Sequence, residues 1–215
     1  MRRFGAVVLA VTALGAGTAL AQSAPATSGF YSRFDTGPSF SDDAGGSIGG
    51  HLGNGGIGSV GLGYRFTPRF RTDFTLGYRG GYQLGGGNVN DTDVSALTGM
   101  FNGYVDLGTW GRFTPYLGAG LGFSRNEIDD IRGTIGGAAF RIPGDDRVGF
   151  AWQAGFGTGI RLTDNAALDL GYRYQDMGLV RSSPALSIGG VPVQADAVDG
   201  HLRGHELQLG LRVNF

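Results

Sequence analysis

The sequence predicts an all-β protein, an eight-stranded antiparallel β-barrel built to span a membrane. Three observations lead to this prediction. Apolar and polar residues alternate with a two-residue period through eight segments, and the connections between the segments alternate between short and long. In addition, bulky apolar residues occupy one parity, while glycine and charged residues occupy the other.

The alternating segments are residues 30–40, 60–66, 70–78, 97–107, 113–123, 148–162, 166–174 and 205–215. In the last of them, Leu207, Leu209 and Leu211 share one parity and Glu206 and Arg212 the other. A tilted strand needs roughly 9–11 residues to cross a bilayer, and the segments approach that length.

The connections divide into two kinds. Three are tight turns, at 67–69, 108–112 and 163–165, and four are long, at 41–56, 81–93, 125–147 and 176–202. This layout is typical of a transmembrane β-barrel with short periplasmic turns and four long extracellular loops. Two loops contain Gly-Gly hairpin signals, at 134–140 and 186–194. We interpret these as arms above the membrane, although a ten-stranded barrel that includes one of them is an alternative.

The two faces of the strands have the opposite character from those of a soluble protein. The quartet Leu-Gly-Tyr-Arg recurs at 62–65, 76–79 and 170–173, with Leu and Tyr on one face and Gly and Arg on the other. Apolar residues would contact lipid, and glycine would leave room for arginine inside a narrow barrel. An exported β-sandwich or lipocalin-like barrel is the soluble alternative, but it predicts charge on the outer face.

The polar parity therefore predicts a charge network that fills the lumen. Its members are Arg33, Asp35, Arg65, Arg71, Asp73, Arg79, Asp106, Arg161, Asp169, Arg173, Glu206 and Arg212. Arg173 can pair with Glu206, and Asp169 with Arg212, because the last two strands run antiparallel. Such pairs would make the barrel a poor pore. A small diffusion channel is the alternative, in which these side chains lie against the wall.

Aromatic residues fall at the ends of the segments, as expected for girdles at the two membrane interfaces. The turn ends carry Phe66, Phe70, Trp110, Phe113 and Phe215, and the loop ends carry Phe40, Tyr78, Phe123, Phe150 and Tyr174.

Composition and the N-terminus restrict the functional classes. The chain has no Cys, which excludes disulfides and thiolate chemistry, and a net charge of −1 without a basic stripe argues against nucleic-acid binding. Arg2 and Arg3, an apolar stretch and small residues at 19–21 predict a signal peptide over 1–21. A short N-terminal segment at 22–29 and the barrel at 30–215 would follow. We predict no cofactor.

The C-terminal strand that ends at Phe215 resembles the signal read by the barrel assembly machinery. The stretch LDLGYRYQDMG at 168–178 is similar to the penultimate-strand motif of small outer-membrane barrels of the OmpA, OmpX and opacity type, a porin-like superfamily. The resemblance implies the outer membrane of a Gram-negative bacterium. It also implies contact with outer-membrane lipid and lipopolysaccharide, and surface-exposed loops that meet host or envelope proteins.

No catalytic or metal-binding residues can be nominated from the sequence. His201 and His205 are four residues apart beside Glu206, but this is not the metalloprotease order and no helix is predicted there. Lipid A deacylases of the barrel type carry Ser two residues from His, where this chain has Leu207. We therefore predict a non-enzymatic protein, with such a deacylase as a less favoured alternative. Acidic pairs in the loops are either solvated or bridged by divalent cations to lipopolysaccharide phosphates.

Overall fold

The computed structural model describes residues 28–42, 51–52, 54–86, 89–181, 185–194 and 199–215. The signal peptide predicted at 1–21 lies outside these residues, as does most of the segment at 22–29. The regular structure of the described part consists of β-strands. No helix in this part is long and apolar enough to cross a membrane.

The described chain forms thirteen strands. They are β1 (Gly29–Ser41), β2 (His51–Leu52), β3 (Gly55–Arg65), β4 (Phe70–Gly86), β5 (Val89–Asp106), β6 (Phe113–Ile128), β7 (Ile131–Ile135), β8 (Ala138–Ile142), β9 (Asp145–Arg161), β10 (Ala166–Arg181), β11 (Ala185–Ile188), β12 (Val191–Gln194) and β13 (Asp199–Asn214). Antiparallel pairing runs in the order β1, β3, β4, β5, β6, β9, β10 and β13, and β13 pairs with β1 again. The wall therefore closes, and the predicted eight-stranded antiparallel barrel is confirmed.

The two predicted Gly-Gly hairpins form β7–β8 and β11–β12. At each turn the two glycines have φ values of 58° and 83°, as a two-residue hairpin turn of type I′ requires. β7 pairs with β5, and β8 pairs with β11. The four short strands, called here the side sheet, thus extend from the rim and do not enter the wall.

β4 and β5 continue much further than predicted, so most of the segment 81–93 is paired strand and not loop. The register shifts between Arg79 and Tyr82, and Gly81 has a φ of 83°. A bulge of this kind inserts one residue and reverses which side chains point inward. The strands of 17 and 18 residues exceed the roughly 9–11 needed to cross a bilayer. The barrel therefore projects beyond the bilayer at the end that carries the loops, the loop end.

The outward face of the wall is apolar and the inward face is polar. Leu62 and Phe123 are each 66% exposed, whereas Arg71 and Glu206 are 0% exposed. A soluble protein would reverse this arrangement. The residues predicted to form the girdles lie on the outward face, where Tyr174 is half-buried and the others are exposed: Phe40, Phe66, Phe70, Tyr78, Trp110, Phe113, Phe123, Phe150 and Phe215.

The side sheet packs against an apolar core above the rim. Tyr82 and Val94 on the extended β4 and β5 contact Ile128, Ile131 and Phe140. This core fixes the β7–β8 hairpin on the barrel, because Ile131 and Phe140 are buried in it, and Ile188 of β11 is partly buried against it.

A single carboxylate closes the base of the β7–β8 hairpin. Asp130 accepts hydrogen bonds from the backbone N–H of Gly144 at 3.1 Å, from Arg132 at 3.0 Å and from Arg141 at 2.9 Å. These bonds, with the backbone bond first, lower the pKa of Asp130 from 3.8 to about 2. The carboxylate lies outside the membrane-spanning part of the strands.

We expect Asp130→Asn to loosen this hairpin at neutral pH, so that trypsin cleaves after Arg132 and Arg141 several-fold faster. Because folding lowers the pKa of Asp130, its contribution is fully present above pH 3.8 and is lost as the pH falls towards 2. Limited proteolysis measures the first effect, and hydrogen exchange between pH 5 and about pH 2 the second. Asp129→Asn is the matched control. Equal cleavage of both variants would contradict the assignment.

Candidate functional site

Ten of the twelve residues predicted for the lumen network are buried inside the barrel. They are Arg33, Asp35, Arg71, Asp73, Arg79, Asp106, Asp169, Arg173, Glu206 and Arg212. The Arg65 side chain is 24% exposed at the turn end of the lumen, the end that carries the short turns. The buried groups form three layers along the barrel axis.

Arg161 is a correction to the prediction. It is exposed, and it donates a hydrogen bond to the carbonyl oxygen of Gly111 at 3.1 Å. It is the last residue of β9, where the wall ends and the side chain reaches solvent at the mouth. Parity places it on the lumen side, but it lies beyond the enclosed part of the lumen.

The middle layer consists of Arg33, Asp35 and Asp73. Arg33 donates through Nη2 and Nε to Asp35 at 2.8 and 2.9 Å, and through Nη1 to Asp73 at 3.0 Å. The same Nη1 donates to the Tyr104 hydroxyl at 2.6 Å. The two carboxylates hold the guanidinium in a fixed orientation, as expected of charge-assisted bonds in a narrow interior.

The loop-end layer consists of Glu206 between Arg79 and Arg173. Arg79 Nε lies 2.5 Å from Glu206 Oε1, and Arg173 Nε lies 2.8 Å from Oε2. Arg79 also donates to the Thr98 hydroxyl at 2.7 Å. The pair of Arg173 with Glu206 was expected from adjacent strands. The second partner of Glu206 comes from β4, on the far side of the lumen.

The turn-end layer consists of Arg65, Arg71, Arg212, Asp106 and Asp169. Arg71 Nε donates to Asp106 at 3.2 Å, and Arg212 Nη2 donates to Asp169 at 3.2 Å. The structure thus contains the second expected pair as well.

Tyrosine rings complete this layer. The guanidinium carbon of Arg71 lies 4.2 Å from the ring centre of Tyr104 and 4.8 Å from that of Tyr116. These two residues and Tyr31 were not predicted as lumen groups. The alternation does indicate a lumen position, because each tyrosine lies on the polar parity of its strand. Tyr104 shares a face with Asp106, and Tyr31 shares one with Arg33.

Ala96, Met177 and Leu202 form an apolar cap above the loop-end layer. Met177 lies on the inward parity of β10, and the register shift at this point, with Gly178 at a φ of 80°, turns Leu179 outward. The Met177 carbonyl oxygen accepts hydrogen bonds from Ser124 and, at 2.9 Å, from Asn126. The cap therefore places an apolar obstacle at the loop end of a polar lumen.

Between the layers lies a cavity of about 20 Å³, lined in part by Asn102, Gln153, Arg173 and Gln208. A volume of this size holds about one water molecule. The ion pairs and the apolar cap occupy the lumen around this cavity.

One chain of titratable groups lies on the outward face. Asp42 Oδ1 is 3.0 Å from Nε2 of His205, and Nδ1 of His205 contacts the Tyr172 hydroxyl. Leu207 occupies the position where a barrel deacylase carries Ser, so that position supplies no nucleophile beside His205. The described residues contain no group of three or more His, Asp or Glu side chains that could hold a metal ion.

Comparison with known proteins agrees with this architecture. Residues 6–215 match the family described as outer membrane protein beta-barrel domain. The chain is 29% identical to outer membrane protein PagN of Salmonella typhimurium, over 74% of this chain and 72% of PagN. It is 27% identical to a candidate adhesin of Rickettsia typhi, over 71% and 72% of the two chains. The crystal structure of Neisserial surface protein A superposes with a TM-score of 0.58 at 22% identity, and the match covers 86% of this chain and 97% of that one. The chain therefore belongs to the outer membrane protein beta-barrel domain family, whose members lie in the outer membrane of Gram-negative bacteria.

Proposed function

We propose that this protein is a non-enzymatic surface-contact protein, in which the barrel is a membrane anchor and the side sheet with its neighbouring loops binds molecules of the host cell surface. The observation that carries the proposal is the side sheet itself. Its β7–β8 hairpin is buried on a core built from the extended β4, β5 and β6, and Ile188 of β11 packs against the same core, so the sheet presents a surface of fixed shape outside the membrane. Fixed surfaces lose less conformational freedom on binding than flexible loops do.

Both faces of the side sheet carry exposed residues suited to contact. Arg132 and Arg141 are opposite each other on the outer face of β7 and β8, and their side chains are 63% and 58% exposed. Val191 and Val193 on β12 share the other face with Ile188, and they are 63% and 42% exposed because β12 lies beyond the core. Exposed apolar residues and oriented cations are both typical of binding surfaces. A relative described as a candidate adhesin supports the same interpretation.

Pro192 bears on how the side sheet meets partners. β12 is the outermost strand of the sheet, and Pro192 lies on it opposite Ser187. Proline has no N–H to offer to an added strand and is a common device for protecting a sheet edge. We therefore expect ligands to dock on the side chains of the sheet and not to extend it.

The filled lumen supports the anchor role over the diffusion-channel alternative. Ten buried charged residues, an apolar cap and a cavity of about 20 Å³ leave little room for solute. The deacylase alternative has less support, because the His205 chain ends in a phenol and not in a serine.

Replacing residues 185–194 with a Gly-Ser linker of equal length should reduce attachment of otherwise non-adherent bacteria to cultured epithelial cells by several-fold. The replacement removes β11 and β12 without shortening the loop. The matched control replaces the turn 163–165, which we place on the periplasmic side. A shift in gel mobility on boiling verifies that each barrel is folded. Unchanged attachment by the folded linker variant would overturn the proposal.

The lumen prediction is tested with Glu206→Ala. This change leaves Arg79 and Arg173 without their shared carboxylate, which should destabilise the barrel by about 3–5 kcal/mol. In planar bilayers we expect the wild type to be silent or to open rarely, and the variant to open more often. Glu127→Ala, at an exposed position, is the control and should match the wild type. Steady conductance from the wild-type barrel would contradict the anchor role.

A further inference from the structure

The turn-end layer contains one more cation than anions. It holds the guanidinium groups of Arg65, Arg71 and Arg212 and the carboxylates of Asp106 and Asp169. Asp106 lies 3.2 Å from Arg71 and 4.0 Å from Arg65, and Asp169 lies 3.2 Å from Arg212. Even if both carboxylates are fully used, one positive charge of this layer has no counter-charge within it.

The middle layer has a spare carboxylate but does not provide this counter-charge. Asp73 accepts from Arg33 and from the Tyr31 hydroxyl at 3.0 Å each, and from Asn102 at 2.8 Å. Both oxygens of Asp35 accept from Arg33. These bonds hold the carboxylates beside Arg33.

Five guanidinium nitrogens and one carboxylate oxygen of the turn-end layer are buried without a hydrogen-bond partner among the described residues. They are Nε of Arg65, Nη1 and Nη2 of Arg71, Nε and Nη1 of Arg212, and Oδ2 of Asp106. Arg71 and Arg212 are 0% and 3% exposed. Buried donors that are charged and unpaired are strongly unfavourable. Because the donors outnumber the one unpaired oxygen, they require a further acceptor in the lumen.

The two arginines are neighbours of the same tyrosine ring. The guanidinium carbons of Arg71 and Arg212 lie 6.0 and 5.8 Å from the centre of the same Tyr31 ring. Tyr104 and Tyr116 lie close to the guanidinium of Arg71, at 4.2 and 4.8 Å. Their rings supply apolar surface and leave the N–H edges as the polar lining.

We propose that the turn-end layer is a binding site for a small monovalent inorganic anion of the halide class, held between the N–H edges of Arg71 and Arg212. One negative charge balances the single excess positive charge of the layer, whereas a phosphate would bring about two negative charges and leave the layer negative. A spherical anion accepts bonds from several donors and needs no donor orientation of its own. Arg65, 24% exposed at the turn end, marks the side from which the anion enters.

The test is heat unfolding of the purified barrel in detergent micelles at fixed ionic strength, with chloride or bromide exchanged for the bulkier gluconate. We expect the midpoint to rise by about 3–5 °C for each tenfold increase in halide above half-saturation. In crystals soaked in bromide, anomalous scattering should give a peak between Arg71 and Arg212. The same midpoint in halide and gluconate would overturn the proposal.

Two variants separate a specific site from a general effect of buried arginine. Arg212→Gln removes the excess charge and should abolish the halide dependence. Arg33→Gln removes a buried arginine from the layer richest in carboxylate, and should retain the dependence even if its midpoint is lower. Equal loss in both variants would contradict a specific site. If Arg212→Gln does not fold, the bromide peak in the wild type decides: its presence supports the site and its absence overturns it.

Discussion

Charge balance inside a closed wall is the constraint on which the rest of this structure depends. Six arginines and five acidic residues face the lumen: Arg33, Arg65, Arg71, Arg79, Arg173 and Arg212 with Asp35, Asp73, Asp106, Asp169 and Glu206. The outward face is apolar, so these charges can be neutralised only by one another or by what enters the lumen. The ion pairs connect strands that are far apart in sequence, and they oppose any opening of the wall.

The same constraint explains much of the glycine content. A Cβ on Gly118 would lie 2.6 Å from the Tyr104 ring, and one on Gly157 would lie 2.6 Å from the Tyr116 hydroxyl. Eight strands enclose only enough space for side chains to fill. Large phenol groups therefore fit because the directly paired residue on the neighbouring strand is glycine. A barrel filled in this way suits the proposed anchor role, in which the contacts are made at the loop end.

Two-residue alternation is sufficient to predict the wall, because parity alone decides which face a residue occupies. It assigned Arg173 and Glu206 to the lumen, and the Gly-Gly pairs located both hairpins of the side sheet. Parity fails where a bulge inserts a residue, so Tyr82 was not recognised as inward-facing. Contacts across the lumen were also beyond the sequence. Arg79 meets Glu206 at a separation of 127 residues, and only closure of the barrel brings them together.

The most direct test of the charge-balance account is a double-mutant cycle on Arg173 and Glu206, with the free energy of unfolding measured in lipid vesicles. The cycle compares Arg173→Met, Glu206→Gln and the double variant with the wild type. Each single replacement leaves the other residue charged and buried without this partner. The account therefore predicts a coupling energy of about 2–3 kcal/mol. Additive effects within about 0.5 kcal/mol would contradict it, because the lumen charges would then be stabilised independently of one another.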